Sequence, residues 1–133
     1  MKRLDDWRHR LTAYMAASAR RPFRMGRHDC SLFAAGAVKA MTGKDIARGF
    51  RGYRTYKGGL KKARQKGFKD HVAIFASHFE EVPIALARLG DVAVIETEEG
   101  PAVGIVQGEH IYTAAQEGLA LMPLLSAARA FRV

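Results

Sequence analysis

The spacing of apolar residues switches at Asp91, and that switch narrows the choice of fold more than any other feature of the chain. Upstream, Leu4, Trp7, Leu11, Tyr14 and Met15 recur at intervals close to a helical turn, which predicts an amphipathic first helix from Leu4 to about Ala19. Pro22 and Gly26 break it, because proline lacks a backbone donor and glycine accepts dihedrals other residues resist. A second helix is predicted from Asp29, a capping residue, to about Met41, with Phe33, Ala37, Val38 and Met41 as its buried stripe and Gly43 after its end. Short helices follow over Leu60–Lys66 and Asp70–Phe79. Downstream of Asp91 come β-type runs at Val92–Glu96, Ala102–Val106, His110–Thr113 and Leu119–Met122. Glu99-Gly100-Pro101, Gln107-Gly108 and Glu117-Gly118 separate them as turns. Helices first and a meander afterwards predict an α+β fold.

The 133 residues suit one domain, 1–133, folded around one core. A composition of 48% hydrophobic and 26% charged residues excludes wholesale disorder. One cysteine excludes an internal disulfide, and no Cys/His cluster has zinc-site spacing, so neither metal nor cofactor is expected. The start MKRLDDW carries two acids and a Trp where a signal peptide would need an apolar run, so none is expected, and no stretch approaches the ~18 apolar residues of a membrane span. A bacterial-type cytoplasm is the expected place of synthesis.

Charge is unevenly spread. Residues 1–70 hold 19 Lys and Arg against 5 Asp and Glu, and residues 71–133 hold 3 against 8, so a +14 half joins a −5 half to give +9. Such a basic half suits an acidic protein neighbour, an anionic wall polymer or nucleic acid. The bases are scattered over several elements without a nucleic-acid motif, which places the protein neighbour and a solvated surface ahead of nucleic acid.

Cys30 falls in the first turn of the predicted second helix, where free amides and the helix dipole favour a thiolate and lower its pKa. Those amides also suit an oxyanion. Arg27 and His28 add positive potential and Asp29 opposes it. The alternative is a small buried hydrophobe on a packed helix. A hydrolase needs an imidazole base within reach of the thiol. His9 belongs to a charged helix face, His28 is adjacent in sequence but not aimed by it, and His71 and His78 share the fourth helix. His110, at a turn before a strand, is the candidate base if strands cover Cys30.

The run Gly26, Arg27, His28, Asp29, Cys30, Ser31, Leu32, Phe33 resembles the nucleophile motif of the NlpC-type, papain-like cell-wall peptidases. Gly90-Asp91-Val92-Ala93-Val94 resembles that family's Gly-Asp strand opening, and Val103-Gly104-Ile105-Val106 its next strand. Over nearly its full length the chain also resembles small proteins encoded in tail modules of phages and prophages, through Thr42-Gly43-Lys44-Asp45, Tyr53-Arg54-Thr55-Tyr56 and Ala130-Phe131-Arg132-Val133.

The resemblance implies a papain-like domain with the Cys30 helix on a C-terminal antiparallel sheet. It also implies a general base where this chain has Ala102, and an orienting residue near Tyr112. Alanine takes no proton, and loss of a base costs roughly 10²- to 10⁴-fold in rate. The expected function is therefore a tail tip or hub assembly component, made in the host cytoplasm and carried in the virion tail, with a degenerate site at Cys30 and Asp29. An active peptidase or amidase cutting peptidoglycan stem peptides, served by His110, is the alternative. Nucleic-acid binding through the bases with Phe50, Tyr53 and Tyr56 as stacking groups is a third.

Overall fold

The computed structural model describes residues 1–133. Four helices precede all six strands of an antiparallel sheet, the α+β arrangement that the change of spacing predicts. Helix α1 spans Trp7–Ser18. It starts later than its apolar spacing suggests, because Leu4 lies outside it and donates its amide to the Met41 carbonyl at 2.7 Å. Helix α2 spans Cys30–Thr42, with Asp29 accepting from the Leu32 amide and Gly43 left-handed at φ 79°. Its predicted stripe is fully buried, and Ala34 joins it there, so the helix is enclosed on most sides. The Tyr14 hydroxyl of α1 donates to the Phe33 carbonyl at 2.8 Å. A side chain at Gly36 would collide with that phenol.

Helix α3, Tyr56–Gln65, begins four residues before the predicted Leu60 because Thr55 accepts from the Gly58 amide and starts the turn there. Gly58 and Gly59 are poor helix formers, yet a Cβ at Gly59 would sit 3.2 Å from the Tyr53 ring, tighter than side chains normally pack. Helix α4, His71–His78, is capped by Asp70, which accepts from the Ala73 amide at 2.9 Å.

The strands are β1 (Glu80–Val82), β2 (Val92–Thr97), β3 (Gly100–Gln107), β4 (His110–Ala115), β5 (Gly118–Pro123) and β6 (Arg129–Arg132). Their order is β1-β6-β2-β3-β4-β5. The β2–β5 meander matches the sequence reading, although Gly100 and Pro101 belong to β3 rather than to the turn. β1 and β6 were not expected, and they extend the sheet beyond β2. Successive β2 residues face opposite ways. Val92 and Val94 join the main core under α2, while Ala93 and Ile95 join a smaller cluster with Val106, Ile111 and Ala127. Gly104 allows β3 and β4 to meet: a methyl there would come within 2.6 Å of the Tyr112 carbonyl.

Asp91, fully buried at the start of β2, ties both ends of the chain to the sheet. It accepts from Arg3 at 3.2 Å, Arg132 at 3.1 Å, the Val133 amide at 3.0 Å and the Arg88 amide at 2.8 Å. This clasp gives a physical role to Asp91 of the Gly-Asp motif and to the terminal Arg132-Val133. No helix is long and apolar enough to cross a membrane.

Candidate active site

Cys30 is the first helical residue of α2, immediately after its capping aspartate. The loop that delivers it is held by backbone bonds between Arg24 and His28 and by the Gly26 amide, which donates to Asp29 Oδ2 at 3.0 Å. Gly26 has φ 80°, and any side chain there would overlap the Tyr53 backbone. Asp29, 5% exposed, also accepts from the Leu32 amide at 2.9 Å and from the Tyr53 hydroxyl. Three donors hold this carboxylate, and none is a cation.

The Cys30 thiol donates to the Ala114 carbonyl of β4 at 3.5 Å, and no imidazole is hydrogen-bonded to it. Burial, reinforced by the charge of Asp29, pushes the thiol up to about 11. This reverses the expectation from the helix N-terminus: the sulfur is enclosed beside an anion, and Arg27, counted as positive potential, is exposed at the surface. Burial, the Asp29 hydrogen bond and the Asp29 charge likewise push the Tyr53 phenol upward.

Beside Cys30 lies a cavity of about 150 Å³, with a mainly apolar lining drawn from the Cys30 loop, α2, α3, α4 and the β2–β3 hairpin. Ala102, the position at which the resemblance puts a general base, lines it and offers only a methyl group. Tyr112, the suggested orienting position, is half-buried, packs on the main core and does not line it.

The five histidines separate clearly. His9 and His78 are exposed. His110 is exposed at the start of β4, four residues and therefore ~13 Å along the strand from Ala114, whose carbonyl receives the thiol proton. It is not among the cavity residues, so the strand that covers Cys30 carries this candidate base away from it. His28 is 2% exposed, edge-on to Phe33, with both ring nitrogens unpartnered, and it also does not line the cavity.

His71 does line it. Its Nε2 lies 2.7 Å from the Pro101 carbonyl oxygen. A carbonyl only accepts, so Nε2 donates and Nδ1 is left as the acceptor of the neutral ring. Sequence reasoning gave this residue no role, but a signal existed. Asp70-His71 repeats the local arrangement of Asp29-Cys30, a capping aspartate followed by the first helical residue. Phe50, Tyr53 and Tyr56, considered as stacking groups, also line the cavity. No group of three or more His, Cys, Asp or Glu is placed to hold a metal ion.

Comparison with known proteins gives a family and no function. Residues 2–133 match the model of a family described as a domain of unknown function, DUF6950. No curated protein matches the chain.

Proposed function

We propose that this chain, which belongs to the DUF6950 family, is a non-hydrolytic assembly component of a phage or prophage tail tip or hub. It is made in the bacterial cytoplasm, carried in the tail, and built on an NlpC-like, papain-like scaffold. The reading is carried by one observation: the Cys30 thiol donates to the Ala114 carbonyl instead of to a base. A thiol pushed up to about 11 is only about one part in 10⁴ thiolate at neutral pH. Nucleophilic cysteines need the reverse, a lowered pKa and an adjacent base. Ala102 at the wall of the cavity is consistent with the loss of that base. The tail assignment rests on the ordered resemblance described above, and the +14 half of the chain suits an acidic neighbour there.

Two measurements test it. Alkylation of Cys30 should be slow at pH 7 and rise about tenfold per pH unit up to the thiol pKa, with no release of peptide fragments from purified peptidoglycan. The chain should also be retained in purified tails. Rapid alkylation below pH 7, or a folded monomer that never enters virions, refutes the proposal.

One observation favours a second reading, a working cysteine peptidase or amidase: His71 lines the same cavity as Cys30 and keeps Nδ1 free to accept a proton. In that case Nδ1 takes the thiol proton, the sulfur attacks the carbonyl carbon of a stem-peptide amide, and the imidazolium returns the proton to the departing amine. Water then cleaves the thioester. Both Cys30→Ser and His71→Ala must abolish fragment release for this reading to stand, and His110→Ala must leave it unchanged.

A further inference from the structure

A protein interior cavity of 150 Å³ accommodates one benzene-sized group, and the cavity beside Cys30 has about that volume. Its floor is buried and apolar, formed by Leu32, Ile46, Ile74 and Phe75. Its exposed margin is Tyr56, Thr97 and Glu99, so the opening lies between the start of α3 and the β2–β3 hairpin. No Lys or Arg lines it, in a chain with 22 of them.

The hairpin supplies the opposite charge. Glu96, Glu98 and Glu99 are exposed, and none is in an ion pair, whereas Asp6, Asp45, Glu81 and Asp91 each hold an arginine. Their field reaches the cavity groups. After burial, the Tyr56 phenol is pushed up by Asp70 and Glu96, and Glu99 adds to burial and Asp29 at the Cys30 thiol. Lys57, Lys61 and Arg64 of α3 surround a separate depression and do not line the cavity. An apolar floor with the free carboxylate of Glu99 at its margin, and those of Glu96 and Glu98 beside it on the same hairpin, selects against acids and favours an apolar group with positive charge beside it.

We propose that the cavity is the socket for one large apolar side chain, of leucine, methionine or phenylalanine size, on a partner protein segment in which Lys or Arg flanks that side chain and faces Glu96, Glu98 and Glu99. This rests on the assembly role proposed above and gives that role a docking site of defined chemistry. The partner is then acid-complementary at this mouth even though the chain as a whole is basic.

The test uses the full chain, labelled with ¹⁵N, and three acetylated, amidated pentapeptides: Gly-Lys-Leu-Lys-Gly, Gly-Lys-Ala-Lys-Gly and Gly-Glu-Leu-Glu-Gly. The Lys-Leu-Lys peptide should shift the amides of Cys30, Tyr56 and Glu99 and bind about 15- to 60-fold tighter than the alanine peptide, the expected effect of burying two to all three of leucine's extra carbons. It should also bind tighter than the Glu-Leu-Glu peptide. Glu99→Lys, a surface change that leaves the core intact, should weaken the Lys-Leu-Lys peptide and strengthen the Glu-Leu-Glu one, and Ala102→Phe should block both.

Equal binding of leucine and alanine peptides overturns the socket. So does a preference for the acidic peptide by the unaltered chain, or the absence of shifts at low-millimolar peptide. Incorporation into tails separates the socket from the assembly role. If the unaltered chain and the Glu99→Lys chain enter equally, the socket fails and assembly stands. If the unaltered chain never enters, the assembly role fails whatever the peptides do.

Discussion

Two buried aspartates, Asp91 and Asp29, show how the same carboxylate takes opposite roles according to its donors. Asp91 is 0% exposed and receives two guanidinium groups and two amides. Its charge is neutralised where it sits, and the result is a clasp joining the N-terminal segment, β2 and the end of β6. Asp29 is 5% exposed and receives two amides and a phenol, with no cation. Its hydrogen-bonding capacity is largely met but its charge is not cancelled, so the field falls on Cys30, the next residue. A carboxylate with cations fastens a fold, and one without them keeps its neighbours from ionising. The second condition makes the site a poor generator of thiolate while leaving its helix well capped.

The largest effect should come from removing the clasp. Asp91→Ala leaves Arg3 and Arg132 facing each other without a counter-charge and strands two amides. Breaking a buried ion pair by deleting one partner costs about 3–5 kcal/mol. The midpoint of a urea denaturation curve measures it. A loss below about 1 kcal/mol, the value of an exposed pair, would mean that the two aspartates are energetically alike and that the comparison above is wrong.

Asp29→Asn should act less on stability and more on chemistry. Asparagine still accepts from the Leu32 amide through Oδ1, so the cap survives, but its NH2 replaces the Oδ2 that accepts from Gly26 and Tyr53. The Gly26 amide then loses its acceptor and the Tyr53 hydroxyl must turn to accept, at an expected cost of about 1–3 kcal/mol. The thiol should drop from about 11, since one of the two main causes of its rise is gone, and alkylation should speed up at every pH below that value. The pH profile of iodoacetamide reaction reads this directly. A profile that coincides with that of the unaltered chain would show burial alone acting on Cys30.

The contrast also marks what was legible in the chain. Helix α2 could be read because its signals are local: Asp29 at one end, Gly43 at the other, and apolar residues at one period. The β2–β5 meander could be read for the same reason, each reversal being marked by a glycine at positive φ, in the turn at Gly108 or as the first residue of the next strand at Gly100 and Gly118. β1 and β6 could not. Glu80-Glu81-Val82 and Arg129–Arg132 have little alternation of their own, and they become strands because β6 pairs with both β1 and β2, across 35 residues or more of sequence. The start of α3 was hidden by Gly58 and Gly59, which read as loop but sit in a helix because Tyr53 packs against them.

At the site, the position of Cys30 in its helix was legible and its ionisation was not. The first depends on neighbours in sequence, whereas the second depends on the burial that β4 and the cavity walls impose. The choice of histidine failed for a related reason. His110 and Ala114 share one strand, but four residues of extended chain separate them, a distance that only the register of β4 reveals.

His28 provides the smallest effect, and it sharpens the comparison from the side of the base. It is 2% exposed with both ring nitrogens unpartnered, and burial first, then the nearby Arg21, lower its pKa below the ordinary 6.5, although Asp29 pulls the other way. The folded chain therefore holds this ring neutral where the unfolded chain would protonate it. Below pH 6.5 the unfolded state binds more protons, so stability falls as pH drops, until the folded-state pKa is reached. A single site contributes at most about 1.4 kcal/mol per pH unit over that window. His28→Leu removes the titration and two unpartnered polar atoms from a buried position, so it should be near neutral or stabilising at pH 7.5 and should flatten the decline between pH 6.5 and 5. Urea titrations of both chains at several pH values decide it. An unchanged slope in the leucine variant would show that the Asp29 charge already compensates a proton on His28, and the carboxylate without cations would then have a cation after all.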